Sequence, residues 1–403
     1  MSALKVPLFR PTFTAADVEA LAAVLYSGHL TTGPRCEEFE TRFASWLGVR
    51  RAVSTNSGSA ALHLALLAAG IGPGDIVLVP TLGFAADAQV VAWQRATPIL
   101  VDCEPMSLCI SPQSVEETLE RLAAVKKSKR ASRVAGIPRA MIVVDYAGQM
   151  ADYTALREIC RRWKLLLIED AAHAVPAAWR AGPGSPWMPP GTVADLTCFS
   201  FYANKPITTG EGGMVVTDND RWATRMRAMR LHGFESLPGQ TRQSTWNRQV
   251  VLPGFKYNLP DLAAALGIRQ LAQVNELWRG RCCVARAYAT ALTSCRSLQL
   301  PEELPDRKHA WHIYAVRLRG ALARGRRDRV MQKLLDRGVQ TSVHWYPLHK
   351  QRYFRDCSLA RRDFPVTDHI YPGLLSLPIF PAMTDRQTRH VANSLLEVMD
   401  EFR

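Results

Sequence analysis

Up to about residue 250 the chain alternates short unbroken apolar runs with longer stretches whose apolar positions recur at helical spacing. The runs are "DIVLVP" (75–80), "TPILVD" (97–102), "AMIVVDY" (140–146), "KLLLIED" (164–170), "TCFSF" (197–201) and "GGMVVTD" (212–218). Each is too short for a helix and carries Val, Ile, Leu or aromatics without polar alternation. That is the pattern of strands buried on both faces, as in a parallel sheet covered by helices. Helices are predicted at "SAALHLALLAAG" (59–70), stopped by Gly70, at "SPQSVEETLERLAAV" (111–125), opened by a serine cap, and at "DYTALREICRRW" (152–163).

From about Pro260 the pattern changes. A long helical stretch beginning "DLAAALGIRQLAQVNELW" is followed by "AWHIYAVRL", a helix near 327–337, "VQTSVHWYP" and a last helix from Thr384. The reading is an α/β large domain at 1–255, a mainly parallel sheet between helices, and a smaller C-terminal α+β domain at 256–403, with the long helix joining them. "KKSKRASRVAGIPR" (126–139) reads as a basic loop insertion and "RAGPGSPWMPPG" (180–191) as a Pro/Gly loop, both surface decoration.

Composition changes this picture little. The 403 residues, 47% hydrophobic and 21% charged, suffice for a sizeable core. No apolar run reaches membrane-span length and the N-terminal stretch lacks a signal-peptide apolar segment, so the expectation is a cytoplasmic protein without a membrane partner. Nine scattered cysteines contain no CxxC pair, which argues for reduced thiols and against a metal knuckle. The net charge of +14 sits in local clusters (126–133, 319–329, Arg361 and Arg362) without interleaved aromatics, so nucleic acid is not the expected partner. A basic surface would still attract an anionic substrate.

The candidate chemistry lies where apolar runs end, the place open α/β sheets bind ligands. In "STNSGSAALHLAL", Gly58 and Ser59 open a helix; the turn reads either as helix capping or as a phosphate grip at the positive helix end. "LLLIEDAAHA" releases Glu169 and Asp170 from a buried strand, then His173. Such an acid is satisfied by backbone donors or serves as counter-ion to a protonated heterocycle. Lys205, in "FSFYANKPITTGEGG", is either a loop cation or an amine whose desolvation favours the neutral, nucleophilic form.

These stretches, with "PTLGFAADA", "SGHLTTGPRCEEFE", "GFKYNLPDLAAALGIRQL", "HAWHIYAVRL", "HWYPLH" and "SLPIFPAMT", resemble in order and spacing the DegT/DnrJ/EryC1/StrS family of pyridoxal-phosphate (PLP) sugar aminotransferases, over nearly the whole chain. The likeness is greatest to the 4-keto nucleotide-sugar aminotransferases of the UDP-4-amino-4-deoxy-L-arabinose synthase type. The resemblance implies the aspartate-aminotransferase-like fold (PLP fold type I) and a homodimer with shared active sites. It implies that Lys205 forms the internal aldimine and shuttles protons, and that Asp170 pairs with the pyridinium nitrogen. Phe84 stacks on the ring and His173 lies beside it. Gly58, Ser59 and Ser200 hold the phosphate, and Asn258 reaches the phosphate of the neighbouring subunit. Thr31, Thr32 and His344 lie near the sugar. The implied reaction moves an amino group from L-glutamate, leaving 2-oxoglutarate, onto the keto group, at C4, of a nucleotide-linked deoxy sugar, with no metal. Other readings are a C3-keto sugar or cyclitol substrate, a PLP-dependent sugar dehydratase, whose lysine position is typically histidine, and a non-catalytic regulatory member. His232, His309, His312 and His349 are read as structural or supporting, and "GEGG" as a backbone turn.

Overall fold

The computed structural model describes residues 4–127, 136–236, 248–320, 325–355 and 363–402. Most of the basic 126–133 stretch, residues 321–324 of the second cluster, Arg361, Arg362 and Cys357 lie outside the described residues.

The large layer is a seven-stranded sheet built from β1 (Arg51–Thr55), β2 (Asp75–Pro80), β3 (Thr97–Val101), β4 (Ile137–Val144), β5 (Leu166–Asp170), β7 (Leu196–Ser200) and β8 (Gly213–Thr217), the two-residue β6 (Ala178–Trp179) lying outside it. Across the sheet the order is β1-β8-β7-β5-β4-β2-β3. All neighbours from β7 to β3 are parallel, while β8 runs antiparallel to both β7 and β1. The six apolar runs are all strands, buried on both faces as their lack of alternation requires. The mainly parallel sheet between helices is thus as the sequence pattern predicts.

Two apolar layers cover the sheet. On one face pack helices α2 (Pro34–Leu47), α5 (Pro112–Lys127) and α6 (Tyr153–Trp163), through Phe39, Phe43, Leu119 and Leu156. On the other lie α3 (Gly58–Ala68), α4 (Ala85–Trp93) and α7 (Asp220–Met229), through Leu64, Val90 and Met226. The predicted signals act as read: Gly70 sits at φ 75° after α3, and Ser111 Oγ accepts the Ser114 amide at 3.2 Å.

The predicted long helix is two helices. α8 (Asp261–Ala272) ends at Gln273, which leaves helical geometry, and α9 (Val274–Leu292) begins directly after it. α8 packs on α2 and on α1 (Ala15–Ser27). Its buried Asp261 accepts the amides of Gly33 (2.8 Å), Cys36 (3.0 Å) and Arg35 (3.1 Å), which fastens the start of α2. Each such charge-assisted bond is worth roughly 1.5–3 kcal/mol. The passage to the smaller unit therefore runs through α9. That unit joins α9 to an antiparallel sheet of 298–299, Tyr314–Leu318 and Leu374–Leu377, with the helices Arg327–Asp336 and Asp385–Asp400. Val6 near the N-terminus is fully buried in this smaller core and bridges to Val339.

Alternation along β7 sets up the site. Phe199 and Phe201 point into the first layer, where Phe199 meets Phe43 edge-on at 4.9 Å and Phe201 lies 5.2 Å from Phe39. Burying a side chain of this size stabilises by roughly 1.5–3 kcal/mol. The strand end is thereby pinned, and Ser200, between the two rings, faces the opposite side.

Candidate active site

The registers bring three strand ends to one rim. Ser200 at the end of β7 pairs with Gly213 at the start of β8, and Gly213 pairs with Thr55 at the end of β1. After β1 the chain turns at Ser57, whose hydroxyl caps α3 by accepting the Ala60 amide at 3.1 Å. That leaves Gly58 and Ser59 in the first turn, where amides have no intrahelical acceptor. A Cβ on Gly58 would lie 2.8 Å from Ser200 Cβ, and one on Gly213 would lie 2.7 Å from Thr55 Oγ1. Both glycines are thus demanded by close approach. Of the three glycines in "GEGG" only Gly210 carries a positive φ, at 80°, while Gly212 and Gly213 are demanded by close packing. The result is a small cradle of amides and hydroxyls at a helix N-terminus, fitted to an anion such as a phosphate.

Asp170 closes β5 with its Oδ1 accepting the Ala172 amide at 2.9 Å. Glu169, on the opposite face, is occupied by Thr197 Oγ1 (2.6 Å) and the Gly191 amide (2.8 Å). Of the two sequence-adjacent acids, only Asp170 faces the site. Lys205 sits in the turn after β7, its amide donating to Tyr202 O at 2.9 Å. Burial pushes its ammonium down to about 8, against the opposing pull of Asp170 and Asp87. An amine ordinarily charged at neutral pH is thereby brought within reach of its nucleophilic form.

Rings complete the cleft. Phe84 is 52% exposed although apolar, its ring 5.9 Å from Trp345. His173 stacks on Trp345 at 5.1 Å and lies 4.5 Å from His312. Burial, with the Lys205 charge, holds His173 and His312 neutral, well below the usual histidine range. His344 bonds through Nδ1 to Ser376 Oγ at 2.7 Å, and burial takes it to about 4. Two adjoining hollows share Phe9 and Asn204; one reaches Lys205 and Arg10, the other His312 and His344. The described structure therefore gathers Lys205, Asp170, His173 and His344 into one cleft, and Ser200, Gly58 and Ser59 at the cradle on its sheet rim.

Thr31, Thr32 and Asn258 bond to one another, and the stretch just before Asn258 is tied to Asn56, the residue before the Ser57 turn, through its amide to Tyr257 O (2.8 Å) and its Nδ2 to Lys256 O (3.2 Å). Asn258 Nδ2 donates to Thr32 Oγ1 at 2.8 Å, and Thr32 Oγ1 donates to Leu259 O at 2.6 Å. No hydrogen bond among the described residues joins them to Lys205, Asp170 or Phe84. Four residues of the cleft carry no signal in the sequence: Asp87, Trp345, and Phe9 and Arg10 near the N-terminus. The other histidines hold structure: His349 bridges Thr81 and Asp368, and His309 accepts the Trp311 amide.

Among the described residues no group of His, Cys, Asp and Glu could hold a metal ion, and no helix is long and apolar enough to cross a membrane. An anion cradle, a buried acid, a desolvated lysine and an exposed ring make up a donor set that fits pyridoxal phosphate.

Fold and site together define a PLP-dependent aminotransferase of fold type I. The chain belongs to the DegT/DnrJ/EryC1/StrS aminotransferase family, whose pattern matches residues 11–396. It is 33% identical over 397 residues to the spore coat polysaccharide biosynthesis protein SpsC of Bacillus subtilis, covering 98% of this chain and 97% of that one. Among solved structures, DesV of S. venezuelae, in complex with a ketimine intermediate, is 30% identical over 98% of this chain and 99% of its own, with a TM-score of 0.84. Helicobacter pylori PseC, an aminotransferase of pseudoaminic acid biosynthesis, shares the fold at a TM-score of 0.88 over 99% of this chain and 100% of its own, at 23% identity. The protein is a PLP-dependent sugar aminotransferase.

Proposed function

We propose that the substrate is a nucleotide-linked deoxy sugar carrying a keto group at C4, that L-glutamate donates the amino group, and that two copies of the chain share their active sites in the cytoplasm. The observation that carries the reading is Lys205, desolvated yet flanked by Asp170 at the mouth of an anion cradle. When bound, the cofactor supplies an electrophilic carbon that accepts an amine and a conjugated ring that takes up electrons. Gly58, Ser59 and Ser200 would hold its phosphate, Phe84 would cover the ring, and Asp170 would face the ring nitrogen. His173, neutral and stacked on Trp345, lies beside the ring without adding charge. Lys205 in its neutral form makes the covalent link. Its amine would also be the group that holds and moves the proton at the reacting centre. In balance, a water supplies the keto oxygen as glutamate gives up its amino group and leaves as 2-oxoglutarate, the sugar carbonyl oxygen leaves as water, and Lys205 would deliver the proton that sets configuration. His344 lines the substrate side of the cleft.

The C4 position and the nucleotide carrier rest on the family resemblance and on the net charge of +14, which favours an anionic substrate. SpsC's part in a polysaccharide pathway supports a sugar acceptor. Retention of Lys205 speaks against a dehydratase, and retention of Asp170 and the cradle against a regulatory member. The test is a screen of UDP-, dTDP- and GDP-linked 4-keto and 3-keto sugars and a keto cyclitol, with glutamate, reading 2-oxoglutarate release. Turnover with a 4-keto nucleotide sugar at least tenfold above the others is expected; preference for a 3-keto sugar or cyclitol overturns the assignment.

Among the described residues Asn258, Thr31 and Thr32 make no hydrogen bond to Lys205 of their own chain, and family resemblance assigns Asn258 to the phosphate of a neighbouring copy. Mixing inactive Lys205→Ala with Asn258→Asp, whose new charge repels a phosphate, is expected to restore about a quarter of wild-type activity, because mixed pairs hold one intact site. No recovery places Asn258 in the site of its own chain.

A further inference from the structure

Among the described residues, Asp87 is an acid beside Asp170 and Lys205 to which no role has been given. It stands in the first turn of α4, three residues after Phe84, and is 0% exposed. Neither carboxyl oxygen has a hydrogen-bond partner among the described residues. An acid at this helical position commonly complements the helix dipole, but does so from solvent. Here the nearby Phe84 amide falls short of hydrogen-bond geometry, although it leans the group toward ionisation. A buried carboxyl with no donor is costly if charged. The groups facing it are Asp170 from β5, Lys205 from the turn after β7 and the Cys198 thiol on β7. Burial first, and the Asp170 charge second, push Asp87 well above the usual carboxylate range, outweighing the Lys205 ammonium. Room for its carboxyl depends on Gly83, where a Cβ would lie 3.0 Å from Asp87 Oδ2.

We propose that Asp87 is a positioning residue that stays a neutral carboxylic acid and donates its O–H to the carboxylate of Asp170. The inference rests on the reading that Asp170 faces the cofactor's ring nitrogen. In a site with little water, an ion pair between a protonated ring nitrogen and a carboxylate can relax to a neutral pair by moving the proton to oxygen. Donors to the carboxylate oppose this, because hydrogen bonds to the charged form favour it. The Ala172 amide supplies one donor, at Oδ1, and the Asp87 hydroxyl supplies the other. The two donors thereby hold the proton on the ring.

The test uses holoenzyme loaded with cofactor isotope-labelled at the ring nitrogen, whose magnetic resonance shift reports its protonation. Asp87→Ala is expected to move that signal toward the neutral form, a change of roughly 10- to 100-fold in the protonation equilibrium, the worth of a hydrogen bond to a charged group. Asp87→Asn, which still presents an N–H donor, is expected to restore the wild-type signal. An Asn variant that behaves like Ala, or an Ala variant with an unmoved signal, overturns the proposal. Should Asp87→Ala fail to fold, infrared spectra of the cofactor-free protein with isotope-labelled aspartate decide independently. Wild type is expected to show a protonated-carboxyl band that Asp87→Asn lacks, and identical bands overturn the proposal. Asp170→Asn in the same magnetic resonance experiment separates the two readings. If it leaves the signal in place, the Asp170 assignment fails; if it moves the signal while Asp87→Ala does not, only the Asp87 proposal fails.

Discussion

Lys205→Ala is expected to abolish covalent capture of the cofactor and to lower turnover at least about ten-thousand-fold. It removes both the nucleophile and the group that moves the proton, each a large contribution. The fold should be unaffected, since the turn is held by backbone bonds from the Lys205 amide to Tyr202 O and from the Thr209 amide to Phe201 O. The readout is borohydride reduction followed by peptide mapping, alongside 2-oxoglutarate release. A reducible adduct that persists in the variant would sink the assignment. The wild-type rate of covalent capture carries a pH signature as well. Burial lowers the lysine to about 8, so the reactive neutral amine is scarce below that pH and predominates above it. Capture should rise through about pH 8 and then level off, whereas an ordinary lysine would keep rising to about 10.4.

Asp170→Asn is the second large effect, and its value lies in what it spares. The amide oxygen of asparagine can still accept the Ala172 N–H that Asp170 accepts at 2.9 Å, so the strand end keeps its shape. The phosphate cradle is built from other elements, so cofactor affinity should change only a few-fold. Turnover is expected to fall on the order of 10²–10³-fold, the usual cost of removing one preorganised electrostatic partner from a reacting centre. Titration of the cofactor by absorbance and steady-state turnover measure the two separately. Near-normal turnover with bound cofactor would refute the pairing of Asp170 with the ring.

The six apolar runs were legible as strands because burial on both faces removes polar alternation, and that signal needs no partner sequence. β1 was not, since "RAVST" is short and half polar; it is a strand because β8 folds back beside it. The break between α8 and α9 carries no glycine or proline. Gln273 leaves helical geometry there, at φ −101° and ψ 2°, and periodicity does not mark it. At the site, Lys205, Asp170 and the Gly58 turn stood out as polar residues at the ends of apolar runs. Asp87 did not, because an acid in the first turn of a helix looks like an ordinary dipole partner. Trp345 and His312 join His173 from more than 130 positions away, and only the folded chain brings them together.

The reversed strand β8 has a consequence for synthesis. β1 and the turn at Gly58 leave the ribosome early, but Ser200 and Gly213, the other walls of the cradle, are made some 150 residues later. At about 5–20 residues per second, that interval is on the order of 10–30 s. Throughout it the nascent chain carries an unpaired sheet edge and half an anion site. Cofactor loading therefore belongs after translation of the large layer, and premature release of the chain yields a fragment with the acid but not the lysine.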